Sequence, residues 1–227
     1  MNRALASLVL GAAAAAASAQ TGSAPTGGPP PDYSTAERLL FLSKQMVDVK
    51  PGVALHYRFE HSGSRDAAFG DDVQIILARR DDGSCCVGRS EFLTGPHRIT
   101  LPDVDDPDGN PVVLHFLERD IRDMQNATQG AAAYFRKRIR MALYQGASVQ
   151  PVHAQYQGRP VAAQQIVLTP YQDDPNRARF ESYVLKRYVF TLSPDVPGGV
   201  VQMSASVPGS GSAPLVEDVL TLQGASL

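Results

Sequence analysis

The spacing of apolar residues predicts that the folded part of the chain begins with a helix. Ser34 and Glu37 stand three positions apart, as in a capping box, where each side chain bonds the backbone amide of the other residue at a helix N-terminus. The apolar residues that follow recur at the spacing of one helix face: Leu39, Leu42, Met46 and Val49. Because Pro51 and Gly52 interrupt a helix, we expect this one to run from Ser34 to Val49.

After Gly52 the period of the apolar positions changes to that of a strand. Apolar and polar residues alternate over residues 53–61 and 73–77, which is typical of strands with one buried face. The run from Asp81 to Gly83 predicts a hairpin turn before a strand at Cys85–Phe92. A short extended piece from Arg98 to Leu101 would complete a group of three or four strands.

Helical spacing returns in the middle of the chain. Asn110 is a good N-terminal cap, and Pro111 suits the first helical position, where no amide hydrogen is needed. Two apolar stripes follow, separated by a break at residues 126–130. They are Val113, Leu117, Ile121 and Met124, and then Phe135, Ile139, Ala142 and Leu143. We therefore expect two consecutive helices.

Alternation resumes at Val149 and indicates five more strands, the last from Leu215 to Leu222. Strands buried on both faces would be apolar throughout, whereas these alternate, so we expect an antiparallel sheet with helices over one face. A single α+β domain over residues 34–227 accounts for all of these elements.

The first residues have the composition of a secretory signal peptide, which we place at residues 1–19. Arg3 supplies the positive charge, Ala4–Ala17 the apolar run, and Ala17 to Ala19 a small-residue cleavage site. The apolar run of about 14 residues is shorter than a membrane span requires. Residues 20–33, rich in Pro and Gly, have the composition of a disordered linker. We expect a periplasmic or secreted protein with no transmembrane segment after signal removal.

Charge and aromatic content argue against nucleic acid as a partner. The chain has 21 Lys and Arg against 23 Asp and Glu, so its formal net charge is -2, and it contains no Trp. A nucleic-acid-binding protein of this size usually shows a strong positive balance or an aromatic stacking surface.

No pattern of catalytic or metal-binding residues stands out. The acidic run Asp103–Asn110 lacks the spacing of a calcium loop, which leaves a solvated loop or an irregular ion site. The five His residues lack the spacing of a zinc hydrolase, and we find neither a nucleophile elbow nor a phosphate-binding loop. We therefore predict no catalytic residue, no metal and no cofactor, and favour a protein that is not an enzyme.

The two cysteines, Cys85 and Cys86, are neighbours on a predicted strand. We expect one thiol to face the core and the other to face outward. A vicinal disulfide and an intermolecular disulfide through the outward thiol remain as alternatives, since adjacent α-carbons are closer than most disulfides require.

The second mid-chain helix contains a dense basic cluster: Arg136, Lys137, Arg138 and Arg140. Such a cluster is either a solvated helical face, whose aliphatic stems cover apolar neighbours, or a contact for an anionic surface such as lipid headgroups.

The order of elements resembles the LolA-like half-barrel family of periplasmic lipoprotein carriers and lipid-binding relatives. The shared features are export, a helix at Ser34–Val49, a meander of strands, mid-chain helices and a closing run of strands. The resemblance implies a single curved antiparallel sheet, a half-barrel of about 8–10 strands. It also implies that the helices form a lid over an apolar cavity that accepts acyl chains.

The apolar faces of these strands and helices would either fill a core or line such a cavity. The candidate ligand-binding residues are Tyr57, Phe59, Ile75, Leu77, Leu117, Ile121, Met124, Phe135, Ile139, Tyr188, Phe190 and Met203. The sequence thus predicts an exported protein that binds or carries a lipid-like ligand. The alternative is a cell-envelope adaptor that holds a protein partner through a sheet edge or the basic helix.

Overall fold

Nine strands form one antiparallel sheet in the computed structural model, which describes residues 32–227. The strands are β1 (Ala54–Ser62), β2 (Phe69–Arg79), β3 (Cys85–Phe92), β4 (Val104–Asp105), β5 (Ser148–Tyr156), β6 (Arg159–Leu168), β7 (Arg187–Leu192), β8 (Val200–Val207) and β9 (Val216–Ser226). Their order across the sheet is β4-β3-β2-β1-β9-β8-β7-β6-β5. The predicted α+β half-barrel is confirmed.

The first and last strands of the chain pair at the centre of the sheet. Tyr57 in β1 lies opposite Val73 of β2 on one side and opposite Leu222 of β9 on the other. This pairing joins an N-terminal meander to a C-terminal one. Leu55, Tyr57 and Phe59 alternate with more exposed neighbours, as the two-residue period predicts for a sheet with one covered face.

The N-terminal helix is shorter than predicted. Its capping box is present, and an α-helical turn, α1 (Thr35–Glu37), continues as a π-helix at Arg38–Leu42. The helix ends there because Ser43 takes an extended backbone and its hydroxyl bonds the carbonyl of Arg38. Met46 and Val49 therefore reach the core from an irregular segment, and the buried helical residues are Ala36 and Leu40.

The two mid-chain helices are α2 (Pro111–Thr128) and α3 (Ala132–Gln145), as predicted. The Asn110 side chain accepts a hydrogen bond from the Val112 amide and so caps α2. Gln129, with a φ of 57°, ends α2 in the left-handed conformation. The apolar stripes of both helices belong to one hydrophobic core together with residues of the sheet.

The short strand predicted at Arg98–Leu101 is wrong. Gly95–His97 forms a 3₁₀ turn, and Ile99 makes only an isolated bridge to Phe92. Pro96 and Pro102 flank this stretch and have no amide hydrogen for a ladder, so regular pairing resumes only at β4. Two further 3₁₀ turns lie at Arg177–Arg179 and Glu181–Leu185.

The cysteine pair begins β3, with Cys85 exposed and Cys86 buried, as the strand pattern predicts. Their sulfur atoms are joined in a vicinal disulfide, so the expectation of separate thiols is wrong and one of the two alternatives holds. Neither thiol is free to act as a nucleophile in this form.

Tyr33–Leu227 forms one compact unit. No helix within residues 32–227 is long and apolar enough to cross a membrane. The signal peptide predicted at residues 1–19 lies outside the described residues, as does most of the linker predicted at 20–33.

Candidate functional site

The structure brings all of the predicted ligand-binding residues together. They come from β1, β2, β7 and β8 on the sheet and from α2 and α3 above it, and all belong to one hydrophobic core. Each is at most 6% exposed. In this structure they pack against one another, and their contact with a ligand stays a prediction.

An open cleft of about 1170 Å³ lies beside this core. Most of its wall comes from three parts of the chain: the irregular segment between the N-terminal helix and β1, the hairpin of β5 and β6, and the turn between β7 and β8. Leu39 of the N-terminal helix and Ala225 of β9 complete it. Apolar side chains dominate these walls, including Leu39, Val49, Val53, Val152, Ala162, Ala163, Leu192 and Val196. None of the twelve predicted residues is part of the cleft wall.

The cleft and the core share wall residues. Val49, Leu192 and Val196 line the cleft and also belong to the hydrophobic core that contains the predicted set. An apolar ligand seated in the cleft would therefore lie against the outer boundary of that core.

Charged side chains at the cleft balance one another. Lys44 and Lys50 contribute two cations, while Asp48 and Asp195 contribute two carboxylates, and all four side chains are exposed. The local charge favours neither an anionic nor a cationic ligand, so apolar contact is the main attraction that these walls offer.

The turn between β7 and β8 is held in place by Asn110. The Asn110 amide nitrogen donates to the Gly198 carbonyl at 2.7 Å and to the Tyr57 hydroxyl at 2.8 Å. Gly198 has a φ of 70°, a left-handed backbone conformation that favours glycine, and a Cβ there would also crowd the Leu55 side chain and the Asn110 amide. The pattern of apolar residues does not indicate this wall, although the Pro-Gly-Gly run at 197–199 is the kind of turn on which binding residues often lie.

A buried ion pair attaches α2 to the strand β9. Arg119 donates to Asp218 at 2.7 Å, and His61 Nδ1 lies 2.6 Å from the other oxygen of the same carboxylate. Burial of Asp218 opposes its ionisation, but the hydrogen bond from His61 and the charge of Arg119 outweigh it and lower the pKa of this carboxyl.

Two further buried carboxylates bind groups from other elements. Asp120 of α2 contacts the Lys186 ammonium group and accepts from the Tyr188 hydroxyl at 2.5 Å. Burial and the Asp120 carboxylate hold the pKa of the Tyr188 hydroxyl well above its ordinary value, so it stays a donor. Asp174 binds Arg138 of α3 at 2.7 Å. These contacts fix both helices to the rest of the domain.

The predicted basic cluster divides into paired and unpaired cations. Arg136 binds both oxygens of Glu118 at 2.7 and 2.6 Å, and Arg138 is paired with Asp174. Lys137 and Arg140 are exposed, and neither forms an ion pair within the described part of the chain. Contact of the cluster with an anionic surface stays a prediction.

Over residues 32–227, no three His, Cys, Asp or Glu side chains come together in a group that could hold a metal ion. The acidic run Asp103–Asn110 contributes instead to structure. Asp106 accepts from the Cys86 amide at 3.1 Å and pairs with Arg80 at 3.0 Å. These bonds lower the pKa of the Asp106 carboxyl, the Cys86 amide having the larger effect.

No protein-family model matches the chain, and no curated protein matches it in sequence. Among solved structures, it is similar to lipoprotein LppX of Mycobacterium tuberculosis, with 13% identity over 78% of this chain and 89% of that chain and a TM-score of 0.31. LprF from Mycobacterium bovis gives 11% identity over 82% and 90% of the two chains, with a TM-score of 0.33. A LolA superfamily protein from Nitrosomonas europaea gives 7% identity over 86% and 94%, with a TM-score of 0.24.

Proposed function

We propose that this protein is exported to the periplasm or secreted, and that it binds or carries a lipid-like ligand without catalysing a reaction. The observation that supports the proposal is the apolar cleft of about 1170 Å³ at the side of the half-barrel. Binding pockets for small ligands are usually apolar and have volumes of roughly 300–1,000 Å³, so this cleft has room for a larger hydrophobic molecule.

The driving force would be the removal of acyl surface from water. Each buried methylene group contributes about 0.8 kcal/mol, so a long acyl chain gains several times more than a small polar ligand. Val49, Leu192 and Val196 would contact the acyl chain of the ligand, since they lie where the cleft meets the core. The twelve residues predicted from the sequence lie deeper. A ligand would contact them only if it entered between the packed side chains of the core.

A substitution that fills the cleft tests the proposal. Ala162 lines the cleft and is exposed, so Ala162→Trp adds bulk there without overpacking the interior. We expect it to weaken binding of a fluorescent fatty acid at least roughly ten-fold, a loss of about 1.4 kcal/mol. Ala67→Trp, at an exposed position outside the cleft, is the matched control and should leave binding unchanged.

Native mass spectrometry of the purified protein supplies an independent measurement. Co-purified lipid that is absent from the Ala162→Trp variant would support the proposal. Failure of the parent protein to bind any acyl probe would contradict it. Export is tested separately, by sequencing the N-terminus of the protein recovered outside the cytoplasm, which should begin at Gln20.

A second candidate function is that of an envelope adaptor that binds a protein partner along β5. This strand is nine residues long and lies at the edge of the sheet, where no other strand within residues 32–227 pairs with its outer backbone groups. A photo-crosslinker placed at Gln150 should then capture one defined envelope protein. Pro151 interrupts the donors along this edge, which limits pairing and leaves the ligand-binding proposal better supported.

A further inference from the structure

The outer side of α3 carries unpaired cations next to an exposed aromatic ring. Lys137, Arg140 and Tyr144 follow one another at intervals of three and four, so their side chains share one side of the helix. Lys137 and Arg140 are the two members of the basic cluster that lack a carboxylate partner in the described chain. Tyr144 is 42% exposed.

The start of the domain extends this surface. The Ser34 hydroxyl donates to the Leu143 carbonyl at 2.9 Å, which places Tyr33 beside the C-terminal end of α3. Arg38 Nε in turn donates to the Tyr33 carbonyl at 3.3 Å. Tyr33 is 48% exposed, and the Arg38 side chain is exposed as well. We call Tyr33, Arg38, Lys137, Arg140 and Tyr144 together the basic face.

The basic face is positive on a chain whose formal net charge is -2. Helix α3 contains no acidic residue. The carboxylate of Glu37, the nearest acidic side chain on the N-terminal helix, is used in the capping box, and Glu118 is paired with Arg136. Asp32 is an exposed carboxylate next to Tyr33, and Glu37 keeps its charge within the capping box, so three cations stand against two anions.

We propose that the basic face docks on an anionic lipid surface. Lys and Arg near such a surface each contribute about 1 kcal/mol, and their flexible stems let the charge reach the headgroups. Tyrosine is enriched at membrane interfaces because its ring is apolar and its hydroxyl is polar. The pair Tyr33 and Tyr144 beside the cations therefore fits a lipid surface better than a purely acidic protein surface. Docking does not depend on a ligand in the cleft.

The test is sedimentation with vesicles of phosphatidylcholine alone or mixed with phosphatidylglycerol. We expect the parent chain to bind the mixed vesicles more tightly, and added salt to remove the difference. The variant Lys137→Gln with Arg140→Gln should lose about 25-fold in affinity for the mixed vesicles, since about 1 kcal/mol per cation is about a five-fold change. Parent and variant carry the same N-terminal segment, so its own affinity for lipid cancels in the comparison.

A matched control removes two cations from another face. Arg159 and Arg187 are exposed on β6 and β7, and neither forms an ion pair within residues 32–227. Arg159→Gln with Arg187→Gln changes the net charge equally and should reduce vesicle binding by less than about two-fold. An equal loss in both double variants would overturn the proposal, because only net charge would then matter.

A spectroscopic probe tests contact directly. Because the chain has no Trp, Tyr144→Trp introduces a single reporter on the basic face. Its emission should shift to shorter wavelength with mixed vesicles and stay unchanged with phosphatidylcholine alone. The absence of a shift, or of any preference of the parent chain for anionic vesicles, would overturn the proposal and leave an acidic protein surface as the partner to test.

Discussion

The ammonium group of Lys186 lies against the carboxylate of Asp120 inside the protein, where their side chains are 2% and 1% exposed. Asp120 belongs to α2, and Lys186 immediately precedes β7, so this pair joins a helix to the sheet. The other oxygen of Asp120 accepts from Tyr188 in β7. A carboxylate removed from water is tolerated only with such partners, so the pair constrains where α2 lies.

Loss of one member of this pair should destabilise the protein strongly. We expect Lys186→Met to cost about 3–5 kcal/mol, because Asp120 is left as a buried charge with no counterion. Adding Asp120→Asn removes that charge and keeps an acceptor for Tyr188, so the double variant should regain part of the loss. Urea unfolding of the three variants measures the coupling. A double variant that loses the full sum of both single effects would contradict this account of the pair.

Because of the ion pair between Arg119 and Asp218, we expect the protein to lose folding stability at pH values below the ordinary pKa range of carboxyl groups. The pKa of Asp218 is lower in the folded protein than its ordinary value of 3.8, so the folded state binds this proton more weakly than the unfolded chain. The stabilisation that ionised Asp218 contributes to the folded state is therefore complete above pH 3.8. It is lost as the pH falls through the pKa of Asp218 in the folded protein.

Arg119→Met should raise the pKa of Asp218 and move this loss of stability to higher pH, because burial then acts with one fewer opposing cation. Carbon NMR titration of the Asp218 carboxyl measures the shift, and unfolding between pH 3 and pH 7 measures its effect. Arg122→Met is the control, since Arg122 is exposed on the same helix and its loss should change stability by less than about 0.5 kcal/mol. An unchanged Asp218 titration in Arg119→Met would contradict the assignment.

A second pH dependence comes from His115 in α2. Burial lowers its pKa from 6.5, and the nearby Pro102 carbonyl and acidic side chains offset this only in part. The folded state thus binds fewer protons than the unfolded chain. The contribution of neutral His115 to folding stability is complete above pH 6.5. It declines as the pH falls from there through the pKa of His115 in the folded protein.

Replacing His115 with a ring that does not titrate should flatten this part of the stability profile. His115→Phe keeps an aromatic ring beside Phe92, whose centroid is 6.5 Å away, and adds no charge at low pH. We expect the loss of unfolding free energy between pH 7.5 and pH 5.5 to be smaller in the variant. Urea unfolding at several pH values checks this, and an unchanged slope would rule His115 out as its source.

Local signals in the sequence predicted most of the fold. Ser34 with Glu37, and Asn110 with Pro111, begin helices where their capping chemistry predicts. The alternating strands and the turn at Asp81–Gly83 also appear as expected. These features depend on neighbours along the chain, which a sequence shows directly.

The cleft depends on contacts between distant segments, and no local period indicates it. Its wall includes the segment after Leu42, where the π-helix ends early, and the turn at Gly198, which is held by a side chain 88 residues away. The apolar pattern identified the core residues correctly but does not distinguish a filled interior from an open one. The buried ion pairs were missed for a similar reason. Asp120 and Arg119 are charged residues outside the predicted apolar stripe of α2, and only tertiary packing buries them.

Asn110 couples the start of α2 to the cleft, and its substitution should therefore affect both stability and binding. Asn110→Ala removes the cap and leaves the Tyr57 hydroxyl and the Gly198 carbonyl without their donor. We expect a cost of about 2–4 kcal/mol. Asn110→Ser restores the cap but not the amide, so it should regain about 1 kcal/mol of stability.

The binding effect separates the two roles of Asn110. Because its amide holds the turn that lines the cleft, both variants should bind a fluorescent fatty acid several-fold more weakly than the parent, even at temperatures where each is folded. Asn126→Ala, at an exposed position of the same helix, is the control and should change stability by no more than about 0.5 kcal/mol and leave binding intact. If Asn110→Ser bound the probe as tightly as the parent, the turn would be held by the backbone alone, and the cleft would not depend on the amide of Asn110.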